Sequence, residues 1–186
     1  LLYSPRSLFL LPGFVLLVVG LIGYAFALPG VSIGRITFDA PTQFPVFSPD
    51  GRYVAYAGVK GGKDFWIGRK LASGAGEEEV LYRETSGAIV FPTDWSPDGR
   101  GLMLTTLASA SAPPDLLTLL ADKPGEPAGL LRAESYAESR ARFSPDGRWI
   151  AYPSNESGRV EVYSQAYPGP GGKGQLSTDG GTDPRW

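Results

Sequence analysis

"FSPDGRWIAY", residues 143–152, is the third of three near-copies; "FSPDGRYVAY" stands at 47–56 and "WSPDGRGLML" at 95–104. One and the same interval separates Phe47 from Trp95 and Trp95 from Phe143, the aromatics that open the copies. A fixed period of this order, within roughly 20–50 residues, marks a protein built from one repeated structural unit. Within each copy, Ser-Pro-Asp-Gly has the chemistry of a type I turn closed by a glycine. Ser48 bonds the turn backbone, Pro49 presets φ, Asp50 suits the next position, and Gly51 takes positive φ. The same roles fall to Ser96, Pro97, Asp98 and Gly99, and to Ser144, Pro145, Asp146 and Gly147. After each turn come an arginine and an apolar run, "YVAY", "GLML" or "WIAY". This pattern predicts a β-hairpin. The runs are apolar on both alternating faces, so the strands should be covered on both sides, as in sheets that stack face to face.

The rest of each repeat has room for two more strands. In the first, strands are expected near 44–48, 52–59, 64–71 and 79–84, separated by the glycine-rich turns "KGGK" and "ASGAGE". The second gives 92–96, 100–107, 116–120 and 129–133; the third gives 141–144, 148–154, 160–167 and 174–177. "DLLTLLAD" could start a helix in isolation, but its place in the period makes it a strand. Pro184-Arg185-Trp186 has the form of the aromatic that opens a fourth repeat. Four strands per repeat is the unit of a β-propeller blade. The expected fold is therefore all-β, a partial propeller of about three four-stranded blades. Such an incomplete ring is expected to be marginal or to self-associate, and the gene to continue with more repeats.

Ahead of the repeats, Ser7 to Leu28, "SLFLLPGFVLLVVGLIGYAFAL", holds no charged residue along its whole length. As a helix it reaches about 33 Å, enough for the hydrocarbon core of a bilayer. Residues 1–28 are read as a transmembrane helix or signal anchor, in preference to a buried core helix, which would normally carry a polar stripe. The alternative is a cleaved signal peptide, with Ala25-Phe26-Ala27 as the cleavage site and secretion after Ala27. Arg6 precedes the segment and no basic residue follows until Arg35, which favours the N-terminus inside. Residues 29–42 are a linker in which "GRITFDA" is a candidate strand, the outermost of a closing blade. The incomplete propeller occupies 43–186.

Composition limits the chemistry. The 186 residues carry a net charge of −2, with 17 basic residues scattered along the chain, which argues against nucleic acid as a partner. There is no cysteine and no histidine. That excludes disulfides, thiolate nucleophiles, histidine metal sites and a Ser-His-Asp triad within these residues. No cofactor or metal site is expected. Asp50, Asp98 and Asp146 have a sufficient local role in their turns, and equivalent positions around a ring are expected to lie too far apart to converge. "GPGGKG" at 169–174 lacks the spacing of a phosphate loop and reads as a turn. "DGGTD" at 179–183 falls where two blades join, and Asn155-Glu156-Ser157 is a polar turn before it is a glycosylation sequon. Phe65, Trp66, Tyr82, Trp149 and Tyr163 are read as blade core in preference to ligand-stacking rings. With no G-x-S-x-G elbow either, the chain itself is not expected to be an enzyme.

The three repeats resemble the TolB-like, WD-type β-propeller repeat family, whose signature is an aromatic, Ser-Pro-Asp-Gly, a basic residue and an apolar strand. The resemblance covers 43–186. More narrowly, "RFSPDGRWIAYPSNESGRVEVYSQAYPGPGGKGQLSTDGGTDPRW" is similar to the extracytoplasmic propeller of bacterial membrane-bound serine/threonine kinases. In those proteins one transmembrane helix joins a cytoplasmic kinase domain to such repeats. The resemblance implies a bacterial inner-membrane, single-pass protein with the propeller in the periplasm or outside the cell. There it would act as a protein-interaction or ligand-sensing module, its partner an unknown protein or small molecule. Two departures are that no kinase residues are present and that the chain opens on Leu1. The same repeat occurs in periplasmic TolB proteins and in prolyl-oligopeptidase-type serine peptidases. The alternative function is thus an accessory gating propeller of such a peptidase, with its catalytic domain elsewhere.

Overall fold

The computed structural model describes residues 32–33, 36–38, 41–107, 114–131, 137–169 and 171–186. The apolar stretch 7–28 lies outside them, as does half of the linker. Among the described residues no helix is long and apolar enough to cross a membrane.

The described chain is all-β. A short ladder pairs β1 (Ser32–Ile33) with β2 (Ile36–Thr37). Three four-stranded antiparallel sheets follow, each a meander in chain order. Sheet 1 holds β3 (Thr42–Phe47), β4 (Tyr53–Lys60), β5 (Asp64–Leu71) and β6 (Glu79–Arg83). Sheet 2 holds β7 (Ile89–Trp95), β8 (Gly101–Leu107), β9 (Asp115–Leu120) and β10 (Ala128–Leu131). Sheet 3 holds β11 (Arg142–Phe143), β12 (Trp149–Ser154), β13 (Glu161–Ala166) and β14 (Gly174–Gln175). "DLLTLLAD" is strand β9, because Leu116, Leu117 and Leu119 are all buried between neighbouring sheets. Within "GRITFDA", Ile36–Thr37 pairs with β1 among the described residues, and Phe38 lies against the outer face of sheet 1, edge-to-face on Tyr56 at 4.7 Å.

The turns between first and second strands repeat almost atom for atom. The hydroxyl of Ser48 donates to Asp50 Oδ1 at 2.6 Å and accepts from Tyr53 N at 2.9 Å, while Asp50 Oδ1 also accepts from Arg52 N at 3.0 Å. Ser96 and Asp98 make the same bonds at 2.6, 2.8 and 3.0 Å, and Ser144 and Asp146 at 2.6, 2.9 and 3.0 Å. Gly51, Gly99 and Gly147 hold φ of 69°, 74° and 70°. These bonds, with the serine hydroxyl first among them, hold all three aspartates below their ordinary value.

Packing between sheets runs through β7, which contacts β3, β4 and β5 on one side and β11 on the other. The first strand of each sheet is therefore the innermost. Alternation sorts the apolar residues: Leu102, Leu104, Leu117 and Leu119 join Ala55, Ala57 and Ile67 in the core between sheets 1 and 2. Met103 and Leu116, on the opposite face, join Phe143, Ile150 and Tyr152 between sheets 2 and 3. Both faces of the middle sheet are buried, as its uninterrupted apolar strand predicts.

Candidate functional site

Strands β3 and β7 run towards the Ser-Pro-Asp-Gly turns, so their first residues, with the β4–β5 turn, lie at the opposite end of the stack. There the innermost strands frame a groove of about 560 Å³. Its floor is aromatic: Phe44 and Phe91 stack at 4.3 Å with 21° between their planes, and Phe65 from β5 lies beside them. Val59, Ile89, Leu107 and Pro114 extend the apolar wall, and Gln43, Ser139 and Arg140 provide the polar groups. A concave, mostly apolar surface with few polar groups is the usual form of a binding site.

The backbone beneath this groove is unusual. Phe44 (φ 55°) and Arg140 (φ 49°) are the non-glycine residues at positive φ among those described, and both line the groove. They stand two repeat periods apart in the chain and hence occupy one repeat position. Between them that position holds Pro92, whose ring forbids positive φ. A bulky residue in the left-handed region is strained, and such strain concentrates where side chains are held for binding. Arg140 is kept there by its N–H, which donates to Thr105 Oγ1 at 2.9 Å, and Phe44 by a register shift between Gln43 and Val46.

Beside the groove wall lies a buried polar cluster. Glu138 is 3% exposed, and its Oε2 has no hydrogen-bond partner among the described residues. Its N–H donates to Pro114 O at 3.2 Å, and it bridges to Ser154, which ties sheets 2 and 3 together at the groove end. Burial pushes its carboxyl up; the Lys173 cation opposes this, while Glu156 and Asp115 add to it. Burial also pushes the Tyr152 hydroxyl up to about 12. Lys173 of "GPGGKG" pairs with Glu156 and sits over the Tyr163 ring at 5.3 Å, a structural role for that lysine.

The turn residues face the other end of the stack. Ser48, Pro49 and Asp50 share a cleft of about 390 Å³ with Pro97, Asp98 and Gly99. Ser96, Pro97 and Asp98 share one of about 210 Å³ with Asp146 and Gly147. Successive aspartates thus border a common cleft. Each nevertheless directs Oδ1 at its own turn. In "DGGTD", Asp179 approaches Arg159 at 3.5 Å and the Gly180 N–H donates to Glu161 at 3.0 Å, which fastens the segment to β13.

Of the aromatics read as core, Trp66 and Tyr163 are buried, Tyr82 and Phe65 pack against the core between sheets 1 and 2, with Phe65 also lining the groove, and Trp149 is exposed. Sequence reading missed Phe44, Ile89, Phe91, Leu107 and Arg140 as groove residues. The one available signal was Phe44 and Arg140 at the same repeat position.

Three antiparallel four-stranded sheets, stacked through innermost first strands, have the arrangement of neighbouring blades in a β-propeller. No family model and no curated protein matches the chain. Solved structures do. TolB from Acinetobacter baumannii aligns with a TM-score of 0.60 at 20% identity, over 78% of this chain and 34% of that one. A protein described as TolB from Agrobacterium tumefaciens aligns with a TM-score of 0.60 at 21% identity, over 84% and 56%. A prolyl endopeptidase structure aligns with a TM-score of 0.55 at 14% identity, over 72% and 21%. At these identities the likeness concerns the fold. The chain spans between a third and a little over half of the TolB chains it matches.

Proposed function

We propose that this chain is a binding module that takes an apolar segment of a partner protein into the groove at its innermost strands. It is tethered to the membrane by residues 7–28, faces away from the cytoplasm, and serves as the sensor part of a receptor-type serine/threonine kinase. The observation that carries the binding role is the pair of strained residues, Phe44 and Arg140, at one repeat position and both lining the apolar groove. The tether rests on the uncharged stretch 7–28, and the kinase connection on the layout of apolar segment followed by repeats. The absence of histidine and cysteine supports recognition in preference to catalysis.

The test is selection of a displayed peptide library on the full chain. Apolar, aromatic-containing peptides are the expected outcome, and their capture should be lost in Ile89→Glu and Leu107→Glu. Both residues are exposed groove positions, so the fold tolerates the change. No enrichment, or capture indifferent to both variants, would remove the groove from the function. The competing reading, a gating propeller of a prolyl-oligopeptidase-type peptidase, draws on the prolyl endopeptidase likeness. A nucleophile elbow encoded in the same gene would favour it, and kinase motifs upstream would favour the sensor.

A further inference from the structure

The groove crosses the sheets in order, and its charges are sorted along that line. Its lining starts on sheet 1 with Phe44 and Gly62, passes over Ile89 and Phe91 of sheet 2, and ends at Arg140, just ahead of β11. Among the described residues that line it, Arg140 is the charged one. Gly62 brings two further cations to the opposite end. It lies in the tight turn between β4 and β5, where the Lys63 N–H donates to Lys60 O at 3.4 Å, and both lysines are exposed. Gly61 and Gly62 hold φ of 62° and 72° with nothing within 4 Å of a Cβ at either, so this turn stands open. The nearby carboxylates are outside the described lining. Asp64 is the ladder partner of Lys60, Asp115 follows Pro114 at the start of β9, and Glu138 is buried with its carboxyl pushed up. Along the groove the order is therefore cation, apolar floor, cation.

We propose that the groove takes an acidic segment of a partner protein, in which an apolar, aromatic core is flanked on both sides by carboxylates. This names the partner of the binding role proposed above and rests on that role. The choice of occupant follows from charge complementarity. The core lies on the stacked rings of Phe44 and Phe91, a carboxylate on one flank meets the Arg140 guanidinium, and one on the other flank meets Lys60 or Lys63. A basic segment would set like charges together at both ends. A ligand with a single carboxylate answers one end only. The backbone places the two ends in advance. The N–H of Arg140 donates to Thr105 Oγ1 at 2.9 Å, and Thr105 is fully buried in β8, so the point from which the guanidinium reaches is fixed before a partner arrives.

Calorimetric titration of the full chain in non-ionic detergent micelles with two blocked peptides tests this. One peptide carries Phe-Leu-Phe between pairs of glutamates, the other the same core between pairs of glutamines. The glutamate peptide should bind about fivefold more tightly, the worth of two exposed ion pairs. That advantage should vanish as salt rises from about 0.05 M to about 0.5 M. Arg140→Gln should cut the preference. So should Lys60→Gln combined with Lys63→Gln, a change confined to an exposed turn that keeps the test decisive if Arg140→Gln melts lower. Ile89→Glu should lose both peptides. Equal binding of the two peptides, abolished together by Ile89→Glu, would overturn the acidic partner and leave the groove as the binding site. A preference unchanged by either neutralisation also overturns it, because both ends are required. Binding of neither peptide would remove the binding role of the groove and the acidic partner with it.

Discussion

The backbone N–H of Phe143 donates to the carboxylate of Asp94 at 2.7 Å, a bond that joins the innermost strands of sheets 2 and 3 at the repeat aromatic itself. Around this bond, Arg142 donates to Thr93 O, and the Thr93 hydroxyl donates to Ala141 O at 3.2 Å. The cluster is partly buried, and burial pushes the Asp94 carboxyl up while its hydrogen bonds and Arg142 oppose the rise. Asp94→Ala would orphan an N–H inside the sheet contact, at a cost of about 1–3 kcal/mol. Denaturant unfolding should show a lower midpoint with an unchanged slope. An unchanged midpoint would mean that this bond does not join the sheets.

Two kinds of glycine are separable by substitution. Gly147 sits at φ 70° with nothing closer to a Cβ than Pro97 Cδ at 3.5 Å, so the penalty there comes from the backbone. Gly147→Val should lose more than ~1 kcal/mol. Gly58 has ordinary φ, but a Cβ there would lie 2.1 Å from the Trp66 indole, itself buried. Gly58→Ala should cost about 1–3 kcal/mol through overpacking. Trp66→Leu in the same chain should recover part of that loss and leave Gly147→Val unaffected, which thermal melts of the single and combined variants would decide.

Phe47, Trp95 and Phe143 made the repeat legible because the turn between first and second strands is chemically demanding: serine, aspartate and glycine each have a bond or a dihedral to satisfy. The starts of the first strands were placed less well, since β7 begins at Ile89 where residue 92 was expected and no turn chemistry of the repeat marks that end. Apart from Phe44 and Arg140 sharing one repeat position, the groove was not legible. Ile89 and Phe91 have the alternation of any half-buried strand, and nothing in the residue type of Phe44 announces positive φ where glycine is the usual choice. Pro92 at the equivalent position hides the pattern in the middle repeat. Whether an end aromatic is buried depends on a sheet that only three-dimensional stacking reveals.

Glu138 should make stability fall as the pH rises. Burial raises its carboxyl above the ordinary 4.5, so from that value up to its raised one the unfolded chain releases the proton before the folded chain does. Stability present at low pH is lost across this window. Glu138→Gln removes the titration and keeps the shape. Melting temperatures should be higher than wild type at about pH 7 and converge with it as the pH falls towards 4.5. A variant that melts lower at neutral pH would show that the ionised carboxylate has a partner it needs.

Glu161 should behave in the opposite sense. Its carboxylate is buried and accepts from the Ser177 hydroxyl, the Gly180 N–H and the Arg159 guanidinium. The Ser177 bond leads in holding it below its ordinary 4.5, against the cost of burial. The stabilisation is complete above that ordinary value and is lost as the pH falls through the lowered one. What it fastens is local, because Ser177 and Gly180 begin the segment that ends at Trp186 against Arg142. Acid should therefore release residues 177–186 from β13 before the sheets unfold. Hydrogen exchange should show the Gly180 amide losing protection at low pH while Ile150 and Tyr152 in β12 keep theirs. Glu161→Ala should expose the Gly180 amide at every pH. If Gly180 and β12 lost protection together in the parent chain, the terminal segment would be part of the same cooperative unit as sheet 3, and the carboxylate would not be its separate fastening.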